Sequence, residues 1–268
     1  MEKKFKLGVI GAGFMATAII KGALKASILS PEDVIVSDPN EISLNKMAKN
    51  GVCVTKSNLE VASNSEFVLF AIKPQNLNQV LESIKSAHDR KFISIMAGVR
   101  KEKIKNYFPL TKIARCMPNT PCAIGSGAVG LDVSDFSDDE DIQFIVKLFD
   151  SLASVVMVDE DKLNAVTGVS GSAPAYFYLF LKGIIDAGVQ NGLTEEQAKV
   201  LATSTMIGAG KMVLNNDDKS LDELINAVCS KGGTTIEAVK IYENERLSDI
   251  TLNAINACVK RATELEKL

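Results

Sequence analysis

The chain has 268 residues and a formal net charge of −3 at pH 7. This length predicts about two domains and an ample hydrophobic core. A slightly acidic chain offers no footprint for nucleic acid and no polybasic run for a membrane surface, which favours small-molecule chemistry. We expect neither a signal peptide nor a membrane-spanning helix, because Lys182 and Asp186 interrupt the most apolar stretch, residues 173–189.

The five cysteines and the single histidine argue against a metal site or a histidine base. No two cysteines have the C-x-x-C spacing, and we interpret all five as buried thiols in a reducing cytoplasm. His88 stands in a polar turn and is expected to be a solvated loop residue. The sequence therefore predicts a cytoplasmic protein without a metal ion.

Residues 5–20 predict a strand, a tight turn and a helix. An apolar run ends at Gly11, Gly13 follows, and Ala16 takes the third position of a dinucleotide-binding fingerprint. In that fingerprint the first glycine permits a sharp turn, and the second lets the backbone approach a pyrophosphate at the helix N-terminus. The alternative is a structural glycine-rich turn that binds nothing. An acidic residue after the second strand, Asp38, favours the dinucleotide.

The rest of the first half alternates between strand and helix patterns. Further strands are predicted at residues 34–37, 52–54, 67–72, 92–96, 113–117, 127–131 and 155–158, and helices at 41–49, 77–85, 103–107 and 139–152. Apolar runs without alternation are typical of parallel strands covered on both faces. We predict an α/β fold with a Rossmann-type doubly wound sheet over residues 1–160, in which the last two strands extend one edge.

From residue 161 onward every pattern is helical, which predicts an all-helical domain over residues 161–268. The first of these helices carries Tyr176, Phe177, Phe180 and Ile184 at helical spacing, with small residues among them. A helix that is apolar nearly all round should be buried within its domain or against a second subunit. We therefore expect an oligomer that is at least a dimer.

Three loops have residues suited to binding. Lys73, before Pro74, follows the fourth strand, where it could serve cofactor phosphates or be a surface lysine. Asn119, between two prolines, could face a nicotinamide or a substrate, or belong to a rigid turn. Residues 227–238 combine paired glycines with three hydroxyls before a helix, which suits a carboxylate, although a helix–helix turn with threonine caps is the alternative.

Six blocks resemble the pyrroline-5-carboxylate reductase family and cover the chain nearly end to end. They are GAGFMA at residues 11–16, FAIKPQ at 70–75, SIMAGV at 94–99, RCMPNTP at 115–121, AVTGVSGSAPAY at 165–176 and VCSKGGTTIEA at 228–238. The resemblance implies reduction of 1-pyrroline-5-carboxylate to L-proline with NADPH or NADH, the last step of proline biosynthesis. It also implies an intertwined dimer and allows a ring of dimers. Lys231 departs from the family, which usually has proline there.

The resemblance also implies the roles of individual residues. The cofactor role falls on Gly11, Ala12, Gly13, Phe14, Met15, Ser37, Asp38, Asn58, Ala71, Lys73, Pro74, Gly98 and Asn119. Substrate binding falls on Ser230, Gly232, Gly233, Thr234 and Thr235, with the Thr235 hydroxyl near the ring nitrogen. A protonated cyclic imine becomes a neutral amine on reduction, so no general acid is required. The chain has no obvious acid at these positions.

Two rival functions and one open choice follow from the residues. A 3-hydroxyacid dehydrogenase with a helical second domain would carry lysine and asparagine where this chain has Phe177 and Leu181. A non-catalytic dinucleotide sensor would have no use for the hydroxyl-rich loop at residues 230–235. Asp38 is suited to hydrogen bonds with the adenosine ribose, which favours NADH over NADPH. The alternative is that Asp38 only begins an Asp–Pro turn, and that Ser37, Asn40 or Lys46 binds a 2′-phosphate.

Overall fold

The computed structural model describes residues 4–87 and 90–267, so the predicted loop residue His88 lies outside the described residues. The strands are β1 (Phe5–Ile10), β2 (Val34–Ser37), β3 (Cys53–Thr55), β4 (Ser65–Phe70), β5 (Lys91–Ser94), β6 (Lys112–Pro118), β7 (Gly127–Asp132) and β8 (Ala153–Met157). They form one sheet in the order β3-β2-β1-β4-β5-β6-β7-β8. Neighbouring strands are parallel except for β6 and β7. The predicted fold class and the predicted edge position of the last two strands are confirmed.

The helices complete the doubly wound arrangement and then continue alone. They are α1 (Phe14–Lys25), α2 (Glu41–Ala48), α3 (Asn58–Asn64), α4 (Leu77–Ser83), α5 (Lys101–Lys105), α6 (Asp139–Asp150), α7 (Leu163–Val166), α8 (Ala173–Gln190), α9 (Glu195–Leu214), α10 (Leu221–Val228), α11 (Thr234–Asn244) and α12 (Leu247–Leu265). The sequence prediction missed α3, because it has only seven residues and four of them are polar. After Met157, every regular element that the structure describes is helical.

The sheet is buried on both faces, as its unalternating apolar runs predict. Leu7, Val9 and Leu69 belong to one apolar cluster, and Ile10 and Phe70 belong to a second one. The chain order reverses between β2-β1 and β4-β5, which makes the carboxyl ends of β1 and β4 the switch point of the sheet. Open α/β sheets bind their ligands at such a point.

The burial of the cysteines differs from the expectation. Cys116 and Cys122 are buried, whereas Cys229 and Cys258 are half-buried and Cys53 is exposed at the start of edge strand β3. An edge strand has a neighbour on one side only, which explains the exposure of Cys53. All five are free thiols, and burial raises the pKa of the Cys116 thiol well above its ordinary value.

The described chain divides into two compact units. The first contains residues 1–174 and 258–268, and the second contains residues 175–257. The predicted domain boundary near residue 160 stays a prediction. Within the described ranges, no helix combines the length and apolarity that crossing a lipid bilayer would require.

Candidate functional site

The glycine turn between β1 and α1 is shaped by backbone that closely approaches Gly11. Gly11 has φ +104°, and a Cβ there would lie 2.4 Å from the carbonyl oxygen of Ala71. Its N–H donates to the Ser37 carbonyl oxygen at 2.7 Å, which joins the ends of β1 and β2. No L side chain fits this position, because both its dihedral angle and its neighbours exclude one. The sharp turn predicted from the sequence is present.

Gly13 is different, because a Cβ there would meet no protein atom within 4 Å. Gly13 is the N-cap of α1, and no side chain caps this helix among the described residues. The first turn of α1 also lacks an acidic residue. Open space in front of free N–H groups fits the pyrophosphate of a dinucleotide.

A comparison of the helix starts distinguishes α1 and α11 by their glycine N-caps, although α4, α5 and α7 also begin without a side-chain cap in the described part of the chain. Side chains cap five other helices: Asn40 caps α2, Ser57 caps α3, Asp138 caps α6, Thr194 caps α9 and Ser220 caps α10. Helices α1 and α11 begin instead at Gly13 and Gly233, and neither has a side-chain cap within the described part of the chain. These two helix N-termini are the ones for which the sequence predicted a bound anion.

A cleft of about 490 Å³ opens at the switch point of the sheet. Among the predicted cofactor residues it is lined by Gly11, Gly13, Ser37, Asp38, Asn58, Ala71 and Lys73. Lys73 is exposed, and within the described residues no carboxylate pairs with it. A cation in a cleft beside uncapped N–H groups suits phosphate oxygens.

The other predicted cofactor residues lie outside the lining of this cleft. Ala12 and Phe14 line a second groove along α1, and Met15 packs against the core. Pro74 begins a 3₁₀ helix directly after Lys73. Gly98 has φ +66° and lies against Leu265, and Asn119 is buried at the end of β6.

The carboxylate of Asp38 is fixed beside the glycine turn. One of its oxygens accepts the Ala12 N–H at 2.7 Å, and the other accepts the Asn40 N–H at 2.7 Å. The second bond is the Asp–Pro turn that the sequence allowed as an alternative, and the first places the charge next to the dinucleotide turn. Because both oxygens are engaged, the side chain is held at the carboxyl end of β2, where a ribose would be recognised.

Two alternative partners for a 2′-phosphate, Ser37 and Asn40, already make other hydrogen bonds. The buried Ser37 hydroxyl donates to Asn58 Oδ1 at 2.8 Å, and Asn58 Nδ2 donates to the Ser83 hydroxyl at 3.2 Å. The Asn40 side chain accepts the N–H groups of Ile42 and Ser43. The Ser37 hydroxyl therefore cannot turn toward a phosphate without losing its bond to Asn58, and the Asn40 side chain is held in place through its Oδ1.

The predicted substrate loop lies between α10 and α11 in the second unit. Gly232 has φ +73°, and the Gly233 N–H donates to the Ser230 carbonyl oxygen at 3.0 Å. Thr234 and Thr235 are the first two residues of α11, so neither occupies the N-cap position. The helix-cap interpretation of Thr235 thus does not fit, and no hydrogen bond of its hydroxyl is found within the described residues.

The comparisons with known proteins agree with this geometry. Residues 160–265 match a family model described as pyrroline-5-carboxylate reductase dimerisation, and residues 6–98 match one described as NADP oxidoreductase, coenzyme F420-dependent. A pyrroline-5-carboxylate reductase from Synechocystis is 35% identical over 264 residues, which cover 98% of each chain. The chain belongs to the pyrroline-5-carboxylate reductase family. The resemblance stated from the sequence blocks is confirmed.

Solved structures support the same membership of the reductase family. A pyrroline-5-carboxylate reductase from Coxiella burnetii has a TM-score of 0.91 at 32% identity and covers 99% of this chain and 100% of its own. A Plasmodium falciparum pyrroline carboxylate reductase with NADP bound has a TM-score of 0.89 at 29% identity, with coverage of 99% and 100%. This chain is an oxidoreductase of that family.

Sequence reasoning missed two features of the structure. Ser83, on α4, lines the cleft and completes the hydrogen-bond chain from Ser37. A π-helix, Thr167–Gly171, precedes α8. The signal for the second feature was Pro174, which lacks the N–H that a regular helix would need at that position.

Proposed function

We propose that the protein reduces 1-pyrroline-5-carboxylate to L-proline with NAD(P)H, as the last step of proline biosynthesis. The observation that carries the proposal is the pair of glycine N-caps at α1 and α11, which leaves two helix N-termini open to anions. One suits the pyrophosphate of a dinucleotide and the other suits the carboxylate of an imino acid. The names of the relatives support this assignment.

The residues proposed for the substrate are those of the loop before α11. The N–H groups of Thr234 and Thr235, with the hydroxyl of Ser230, hold the substrate carboxylate beside Gly233, and Gly232 gives the loop its left-handed turn. The hydroxyl of Thr235, at the second position of α11, holds the ring nitrogen. Thr235 is thus the proposed catalytic residue, because it orients the carbon that receives hydride.

The nicotinamide supplies the hydride when it is bound. The protein itself has to bind and orient the imine and the cofactor and to exclude water. No general acid is needed, because reduction of a protonated imine gives a neutral amine. We propose that the cofactor is contacted by Gly11, Ala12, Gly13, Phe14, Met15, Ser37, Asp38, Asn58, Ala71, Lys73, Pro74 and Gly98, and that Asn119 shapes the nicotinamide end of the site. The open space at Gly13 and the exposed Lys73 fit a dinucleotide. The fixed carboxylate of Asp38 supports a preference for NADH over NADPH.

We further propose that the chain assembles at least as a dimer, with a ring of dimers as the larger assembly. Residues 1–160 are the proposed dinucleotide-binding domain, and residues 161–268 the proposed substrate and dimerisation domain. In the second unit, Phe177 on α8 and Leu201 on α9 are more than half exposed. They line an apolar groove of about 800 Å³ that a partner subunit would cover. Five free thiols support a cytoplasmic location.

A substrate-discrimination assay tests the proposed function. Oxidation of NADH or NADPH is measured with 1-pyrroline-5-carboxylate, and reduction of NAD(P)⁺ is measured with a 3-hydroxy acid. The proposal expects turnover with the imine and none with the hydroxy acid. Binding of the dinucleotide without turnover of the imine would support a sensor, and turnover of the hydroxy acid would support the dehydrogenase.

A further inference from the structure

The π-helix Thr167–Gly171 solves a local hydrogen-bonding problem that Pro174 creates. In a regular helix the Ser170 carbonyl would accept the N–H of the residue four positions later, which is Pro174 and has no N–H. The chain instead forms a wide turn in which the Ser172 N–H donates to the Thr167 carbonyl oxygen at 2.8 Å. The Ser170 carbonyl oxygen is left without its usual helical partner.

Asn119, at the end of β6, supplies a hydrogen-bond donor to the Ser170 carbonyl oxygen. Its Nδ2 donates to the Ser170 carbonyl oxygen at 3.2 Å, and its Oδ1 accepts the Ala128 N–H at 3.0 Å. Since Ser170 O can only accept and Ala128 N–H can only donate, these two bonds fix the orientation of the amide. The Asn119 side chain is buried, and its amide joins β6, β7 and the π-helix.

The π-helix is thereby held at the carboxyl end of β6. Gly171 lies against the Met117 side chain, which would be 2.7 Å from a Cβ at that position. In a doubly wound sheet the half that contains β2 and β3 receives the adenosine, and the half beyond β4 receives the nicotinamide. The end of β6 therefore belongs to the nicotinamide half.

Within the π-helix, one side chain remains exposed. The hydroxyls of Thr167 and Ser170 donate to the carbonyl oxygens of Leu163 and Val166. Gly168 and Gly171 have no side chain to offer, and Val169 is 63% exposed. Val169 is thus the apolar group that the turn can present to a flat ring.

We infer that Asn119 is a positioning residue that acts through this turn, and that Val169 packs against the nicotinamide ring. The inference rests on the proposed reductase function and refines the role of Asn119 within it. The Asn119 amide holds the π-helix and does not itself bind the carboxamide of the nicotinamide. The position of the π-helix then determines how closely Val169 packs against the nicotinamide ring.

The test combines Asn119→Ala with Pro174→Ala, because the second substitution restores the missing backbone N–H. Asn119→Ala should lower kcat about tenfold, since loss of positioning by about 1 Å has effects of up to 10²-fold. The NADH dissociation constant, measured by fluorescence, should stay within about twofold. Adding Pro174→Ala should recover part of both kcat and the thermal midpoint of the apoprotein, a coupling that independent sites would lack.

Val169→Ala provides a second variant that is expected to fold. It should lower kcat/KM about tenfold, the order of effect of small apolar contacts in a pocket, whereas Val156→Ala, 58% exposed on β8, should not. Two results would overturn the inference. The first is weaker NADH binding in Asn119→Ala together with no recovery of kcat or of the thermal midpoint when Pro174→Ala is added. The second is a kcat/KM of Val169→Ala as little changed as that of Val156→Ala. An inactive wild type would instead refute the reductase function, and NADH binding and apoprotein stability would still decide the role of Asn119.

Discussion

At the scale of single residues, Thr235 carries the most specific claim about the chemistry. Its hydroxyl lies at the second position of α11, is not a cap and has no partner in the described chain. Thr235→Val should lower kcat/KM for the imine by about 1.5–3 kcal/mol, the range for a hydrogen bond to a charged group. Steady-state kinetics would measure this loss.

Two controls separate catalysis from folding at this position. Thr235→Ser keeps the hydroxyl and should retain most of the activity, while the NADH dissociation constant should be unchanged in both variants. If Thr235→Val lowered the thermal midpoint and left the kinetics near wild type, the hydroxyl would be a structural group and the assignment would be wrong.

Asp38 governs the prediction about cofactor choice. A fixed carboxylate about 4 Å from a 2′-phosphate charge would cost between ~1 kcal/mol in water and ~4 kcal/mol near a protein surface. Asp38→Ser should therefore shift the ratio of kcat/KM values toward NADPH by about tenfold, or ~1.4 kcal/mol. A wild type that strongly prefers NADPH, with the same ratio in the variant, would show that Asp38 does not recognise the ribose.

Single residues differ in how far the sequence predicts their environment. Gly11 was predictable, because the sharp turn after a first strand requires a particular backbone conformation. The bond from Ser37 to Asn58 was not, because it joins residues that are 21 positions apart in the sequence. One bond of the Asp38 carboxylate forms the Asp–Pro turn and the other joins it to the glycine turn, and only the fold shows that the two bonds coexist.

At the scale of secondary-structure elements, α5 is joined to β7 and its following turn by ion pairs in which Lys101 is buried and Lys105 is partly exposed. Lys101 Nζ lies 2.6 Å from Asp132 and 3.1 Å from Asp135, and Lys105 Nζ lies 2.7 Å from Asp135. Burial alone would raise the pKa of Asp135, but the hydrogen bonds and charges of Lys105 and Lys101 outweigh it and lower that pKa below 3.8.

The pH dependence of stability follows from the sign of this shift. Because the pKa of Asp135 is lower in the folded state, its contribution is present above the ordinary value of 3.8 and is lost as the pH falls through the folded pKa. Asp135→Asn should lower the free energy of unfolding by about 2 kcal/mol at neutral pH, less than for an isolated buried pair because Asp132 remains. Urea denaturation at neutral and acidic pH measures both effects.

The control for this prediction is a surface ion pair. Asp161 and Lys162 are both more than half exposed, so Asp161→Asn should change the stability by less than about 1 kcal/mol. A difference between wild type and Asp135→Asn that stays constant down to strongly acidic pH would contradict the assigned role of this carboxylate.

Elements were predictable where one pattern extended over enough residues. The apolar runs of β1, β4 and β5 placed these strands to within about two residues, the usual error at element ends. Short α3 and the π-helix Thr167–Gly171 escaped prediction, because neither has a hydrophobic period long enough to recognise. The uncapped start of α11 was predictable from Gly232 and Gly233.

At the scale of the whole molecule, the second unit exposes large apolar side chains on α8 and α9. Leu179 is 73% exposed on α8, and Phe177, Phe180 and Leu201 line the apolar groove of this unit. We predict at least a dimer by light scattering at micromolar concentration. Leu201→Glu should shift the protein toward monomer, because an unpaired charge would be buried at the interface.

The matched control for assembly is an exposed apolar residue of the first unit. Leu110 is 97% exposed, and Leu110→Glu should leave the molar mass unchanged. A monomeric wild type at micromolar concentration would refute this model of assembly, whatever the behaviour of the variants.

The central claim, that two open helix N-termini receive a dinucleotide and an imino acid for hydride transfer, is tested most directly by product stoichiometry. Purified protein is supplied with 1-pyrroline-5-carboxylate and NADH or NADPH, and the proline formed is quantified beside the cofactor oxidised. We predict one proline for each NAD(P)H consumed, and a large loss of kcat/KM with 1-pyrroline, which lacks the carboxylate. Absence of proline, or equal efficiency with the two imines, would contradict the claim.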